Sequence, residues 1–110
     1  MRLLKFNVDA QKLSKDPTCD FNNLVAGTRK YLRAYFTFSP EWDDCVKVVS
    51  FWRGNKEHAV ILQNDECEID PEALVGTTFG VTVTGQRGEY RITTDKVTVR
   101  QRGRLNNGNS

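Results

Sequence analysis

Between Lys30 and Phe38 the chain alternates without a break. Leu32, Ala34, Phe36 and Phe38 fall on one side of an extended backbone, with Tyr31, Arg33, Tyr35 and Thr37 on the other. A period of two cannot form an amphipathic helix, whose apolar stripe returns every three to four residues, so this segment is a half-buried strand. Any fold built on it must give Phe36 and its neighbours an apolar layer to pack against.

The rest of the chain repeats the theme in short segments punctuated by turns. Leu3 to Val8 places Leu4, Phe6 and Val8 on one face and Leu3, Lys5 and Asn7 on the other, a mixed polarity that suits an edge strand. Gln11 to Asn23 has no stable period and reads as a loop or short ordered crossing; Leu24 to Ala26 allows a brief strand. Ser39-Pro40-Glu41-Trp42-Asp43-Asp44 ends the alternating strand, because proline fixes φ and the Ser and Asp side chains bond to nearby backbone. Trp42 beside Pro40 is suited to plugging the end of a sandwich.

Val46 to Trp52 and Lys56 to Gln63 are rich in β-branched and aromatic residues, and Arg53-Gly54-Asn55 between them supplies the positive-φ positions of a hairpin. Gln63 to Glu66 is a further turn, leading to a short strand at Cys67 to Ile69. Asp70-Pro71-Glu72-Ala73-Leu74 has the cap, the first-position proline and the early acid of one helical turn. Thr78 to Thr84 alternates again, Gly85-Gln86-Arg87-Gly88 turns it into Glu89 to Thr93, and Lys96 to Arg100 puts Val97 and Val99 inward. About seven short strands at this spacing, with one helical turn, predict an all-β antiparallel sandwich of immunoglobulin-like type over residues 1–102. Residues 103–110, with Leu105 as their one apolar side chain, read as a flexible polar tail.

Charge restricts the partners. The chain of 110 residues carries 16 Lys and Arg against 14 Asp and Glu, and Arg100, Arg102 and Arg104 account for the excess, so the body is slightly acidic. That balance disfavours a protein that coats phosphates, although Arg29, Lys30 and Arg33 interleaved with Tyr31 and Tyr35 form a possible single-strand patch. No apolar run approaches a membrane span, and Met1 to Phe6 lacks an apolar signal-peptide core behind its basic residue.

Catalytic and metal-binding equipment is sparse. His58 is the only histidine and lies mid-strand, where it reads as an exposed or hydrogen-bonded strand residue rather than a general base. Cys19, Cys45 and Cys67 are an odd number at wide spacing, which reads as free thiols, and zinc would need clustered ligands. No enzyme, cofactor or metal is expected. Tyr and Trp favour protein contacts. The candidate contact residues are therefore Tyr31, Arg33, Tyr35 and Trp52, with Asp65 and Glu66 from the acidic segment.

The segment order resembles the immunoglobulin-like N-terminal domain of baseplate upper proteins in phages and prophages of Gram-positive bacteria. The likeness spans Leu3 to Arg102. It is carried by Tyr31 to Phe38, Ser39-Pro40-Glu41-Trp42, Val48 to Trp52, Asp65 to Leu74 ahead of Phe79 to Gly85, and Arg91-Ile92-Thr93-Thr94. The resemblance implies a non-enzymatic tail, baseplate or capsid-associated protein in a virion or host cytoplasm, working by contact with other virion proteins or as a homo-oligomer. The alternative is a phage-encoded inhibitor that presents Asp65 to Glu72 to a basic site on a host defence or regulatory protein.

Overall fold

A computed structural model describes residues 1–103, and they form an all-β sandwich of two sheets. The first sheet has strand order β2-β1-β3-β6: Lys12–Lys15, Arg2–Asp9, Leu32–Phe38 and Glu66–Glu68. The second has β5 (Lys56–Ile61), β4 (Val46–Arg53) and β7 (Thr78–Arg87) in that order. β8 (Tyr90–Thr93) and β9 (Val97–Arg100) share the far side of β7. The tail expected over 103–110 lies, from residue 104 on, outside the described residues.

The period-two pattern sets what enters the core. Leu4, Phe6 and Val8 of β1 and Leu32, Ala34 and Phe36 of β3 are buried, and they meet Val49 and Phe51 of β4 and Phe79, Val81 and Val83 of β7. The ring stack is continuous along the first sheet: Phe6 lies 5.1 Å from Phe36, Phe36 is 6.0 Å from Phe38, and Phe38 is 5.1 Å from Trp42. Trp42 plugs one end of the sandwich as expected. It is wholly buried on a 3-10 turn, Pro40–Trp42, its indole Nε1 donates to the Ala10 carbonyl at 2.8 Å, and it rests on Gly85. A Cβ at Gly85 would come within 2.7 Å of the indole ring, so only glycine leaves room for it.

Three expectations are corrected. The first sheet is not wholly antiparallel: β1 and β3 run parallel, Arg2 opposite Leu32 through Val8 opposite Phe38. A parallel pair needs a long return, and residues 10–31 supply it. Nor is β1 an edge strand, because the segment read as a loop folds back as β2, pairing Leu13 with Val8. The second hairpin turns later than Gly85. β7 continues to Arg87, opposite Tyr90, and Gly88 takes the positive φ of 59°. The first hairpin closes at Gly54-Asn55 as read, with Arg53 opposite Lys56. Asp70 to Leu74 makes the expected turn: Ala73 N–H donates to the Asp70 carbonyl and Leu74 N–H to that of Pro71.

The two open sides of the sandwich close differently. On one, β2 is tied to the β8–β9 connection: Asp95 N–H donates to the Gln11 carbonyl at 3.0 Å, and the Asp95 carboxylate accepts from Leu13 N–H at 2.9 Å. On the other, the chain crosses from β5 to β6 through Asn64-Asp65, both at positive φ, leaving a cleft of about 550 Å³ between those strands.

Candidate protein-contact surfaces

The outward residues of the first sheet are set by register. Leu3 lies opposite Arg33, Lys5 opposite Tyr35, Arg33 opposite Glu68, and Tyr35 opposite Glu66. Four of the predicted contact residues therefore come together on or beside this face: Arg33, Tyr35 and Glu66 on the strands, and Tyr31 just before β3, 48% exposed. Their charges are largely committed to one another. Arg33 Nε donates to Glu66 Oε2 at 2.6 Å. Asp65 accepts from Lys47 Nζ at 3.2 Å, and that ammonium also sits 4.6 Å from the Phe38 ring centroid. Lys47 comes from β4, so this pair spans the two sheets. The acidic turn thus offers a host protein less free charge than its sequence implies.

Trp52 lies apart, on the outward side of the second sheet. Its Nε1 donates to Thr82 Oγ1 at 3.0 Å, and Lys96 Nζ sits 4.9 Å from its ring centroid. Gly80 makes that contact possible: a Cβ there would meet Lys96 Cδ at 3.0 Å. The indole is half-covered by its own chain.

The same face carries a feature that residue-by-residue reading passed over. Val46, Val48, Ala59 and Ile61 point outward beside Thr82 and Thr84; Val48 lies opposite Ile61 and Thr84, and Val46 is the diagonal neighbour of Ile61. Val46 is 60% exposed and Ile61 61%. The signal was present in the run Val46 to Trp52, which is apolar on both of its faces, but such a run reads equally as a strand buried on both sides. The cleft between β5 and β6, lined by Ile61, Val60, Arg33 and Glu66, joins this aliphatic patch to the first sheet's outer face.

Reactive groups are kept apart. His58 Nδ1 lies 3.7 Å from Asp70 Oδ2, beyond hydrogen-bond length, and its Nε2 is buried without a partner. Burial pushes the Cys67 thiol up to about 12, so it stays protonated at neutral pH. The three cysteines are free. Among the described residues no group of three or more His, Cys, Asp or Glu is placed to hold a metal, and no helix is long and apolar enough to cross a membrane. No known protein family, curated protein or solved structure matches the chain.

Proposed function

We propose that the chain is a non-enzymatic protein-contact module and that its place is in a phage or prophage particle, as a tail, baseplate or capsid-associated component. One observation carries the contact reading: Val46, Val48, Ala59 and Ile61 form an outward aliphatic patch where β4 and β5 pair. Exposed apolar area of this kind is what a protein interface covers. The phage assignment rests on the resemblance of Asp65 to Gly85 to the baseplate domain and adds the setting, virion or host cytoplasm, to the contact reading.

The test is light scattering with size-exclusion chromatography over a tenfold concentration range at two salt concentrations. Association through an aliphatic patch is insensitive to salt. The wild type is expected to give an oligomer that persists at high salt, and Ile61→Lys, a change at an exposed position, to dissociate it without lowering the melting temperature. A wild type that is monomeric at every concentration and salt overturns the reading.

A further inference from the structure

The two ends of the sandwich differ in charge. At the end where β3 begins, a cleft of about 510 Å³ is lined by Arg100, Arg102, Asn22 and Asn23, with Phe21 along one wall. Arg2 stands beside it, its Nη2 donating to the carbonyls of Asp20 and Asn22 at 2.9 and 2.6 Å. Lys15 Nζ lies 5.5 Å from the Phe21 ring centroid. These four cations take no part in the ion pairs among the described residues, which involve Arg33, Lys47 and His58. Asp16 and Asp20 are the carboxylates on the adjoining loop: Asp16 Oδ1 accepts from Thr18 N–H and Oγ1 at 2.9 and 2.7 Å, and Asp20 Oδ1 from Asn22 N–H at 2.8 Å. The backbone of the cleft is fixed: Arg102 N–H donates to the Leu24 carbonyl and Ala26 N–H to the Arg102 carbonyl, at 2.7 and 2.8 Å.

The opposite end, where β3 finishes, presents Glu41, Asp43 and Asp44, all exposed. This loop is a rigid knob. Trp42 roots it in the core, the Arg87 guanidinium donates to the Asp43 carbonyl, and Tyr90 Oη donates to the Glu41 carbonyl at 2.8 Å. Arg87 meets backbone there, so the three carboxylates are left outside the ion pairs among the described residues.

A β3 of seven residues separates cleft and knob by about 20 Å, so one copy cannot join its own ends. We infer that the Arg100–Arg102 cleft receives the Glu41–Asp44 knob of a second copy, giving head-to-tail assembly. The occupant follows from charge and shape. A short, anchored acidic loop matches a short basic cleft, whereas a long polyanion would run on past it over a body that is slightly acidic. Such a contact is heterologous and closes into a ring or extends as a filament. The inference rests on the contact-module reading but uses a different surface, and salt separates the two.

The experiment is sedimentation velocity on the full chain at about 50 and 500 mM salt, where screening of exposed charges differs strongly. The variants are Arg100→Glu with Arg102→Glu, and Glu41→Lys with Asp43→Lys, all at exposed positions; Asp44 is left in place because its positive φ of 62° suits Asp better than Lys. The expected result is a salt-sensitive association in the wild type, lost in each variant alone at unchanged melting temperature. It returns when the two variants are mixed, because each supplies the end the other lacks. Self-association equal to the wild type in both variants, or no return on mixing, overturns the inference; it leaves the contact-module reading standing if Ile61→Lys still dissociates a salt-resistant oligomer. Tight binding of a 20-residue oligothymidylate, abolished by the arginine reversals while self-association is unaffected, also overturns it, by assigning the cleft to phosphate.

Discussion

The two sheets divide the work of the sandwich unequally. The first brings bulk to the core in Phe6, Phe36 and Phe38, and covers its outside with matched charge, Arg33 on Glu66. The second brings Phe51 and Phe79, 6.3 Å apart, with the β-branched Val49, Val81 and Val83 and a gap at Gly85 that Trp42 fills, and leaves its outside aliphatic at Val46 and Ile61. A period of two decides which side chains face water, but the partner across the strand decides whether that face is finished. Arg33 finds Glu66, while Val48 finds Ile61 and Thr84, and the pair remains apolar.

Three measurements would break or sharpen this contrast. The largest effect belongs to the bulk of the first sheet. Phe36→Ala is expected to lower stability by about 3–5 kcal/mol in urea unfolding, and Tyr35→Ala, its outward neighbour, by about 1 kcal/mol or less. Equal losses would mean that both faces of β3 are packed.

Next comes Cys67, at the edge of the same sheet. Its thiol titrates ordinarily near 9.0 in the unfolded chain and, through burial, near 12 in the native one. Above pH 9 the unfolded state therefore releases a proton that the native state keeps. Stability falls by about 1.4 kcal/mol per pH unit up to pH 12. Cys67→Ala starts less stable but lacks this component, so its urea midpoint should fall less between pH 8 and pH 10.5; parallel slopes would contradict the burial of the thiol.

The smallest effects compare two glycines of β7. Gly85→Ala drives a methyl into Trp42 and is expected to cost about 1–3 kcal/mol. Gly80→Ala meets the movable Lys96 side chain on the outer face, and its thermal midpoint should correspond to a change within about 0.5 kcal/mol. A larger penalty at Gly80 would show that Lys96 over Trp52 is a fixed part of the second sheet.

Much of this was legible in the residues. Alternation fixed both faces of β1 and β3, and Gly54-Asn55 fixed the first hairpin, because these signals are local. β2 was not legible: Leu13 is its one apolar residue, its hairpin with β1 turns at Ala10, a residue that gives no turn signal yet sits at positive φ, and its outer side is bonded by the Asp95 carboxylate 82 residues away. The parallel pairing of β1 with β3 was hidden for the same reason, since no local pattern distinguishes a neighbour thirty residues distant. Of the contact surface, the grouping of Tyr31, Arg33, Tyr35 and Glu66 followed from strand order. Their mutual neutralisation, the isolation of Trp52 and the outward placement of Val46 and Ile61 depended on register, which composition does not encode.

The bond between Leu13 and Asp95 also sets a timetable. The first sheet has all its strands once Glu68 is made, but the second is completed only by β7 to β9, and the tie across the open side waits for Asp95. A chain growing from its N-terminus thus holds Phe6, Phe36 and Phe38 on one side of a formed or forming sheet with only the β4–β5 hairpin of the second layer to cover them. That interval, rather than the finished surface, is when this protein is most exposed to aggregation, and slower synthesis beyond residue 70 lengthens it.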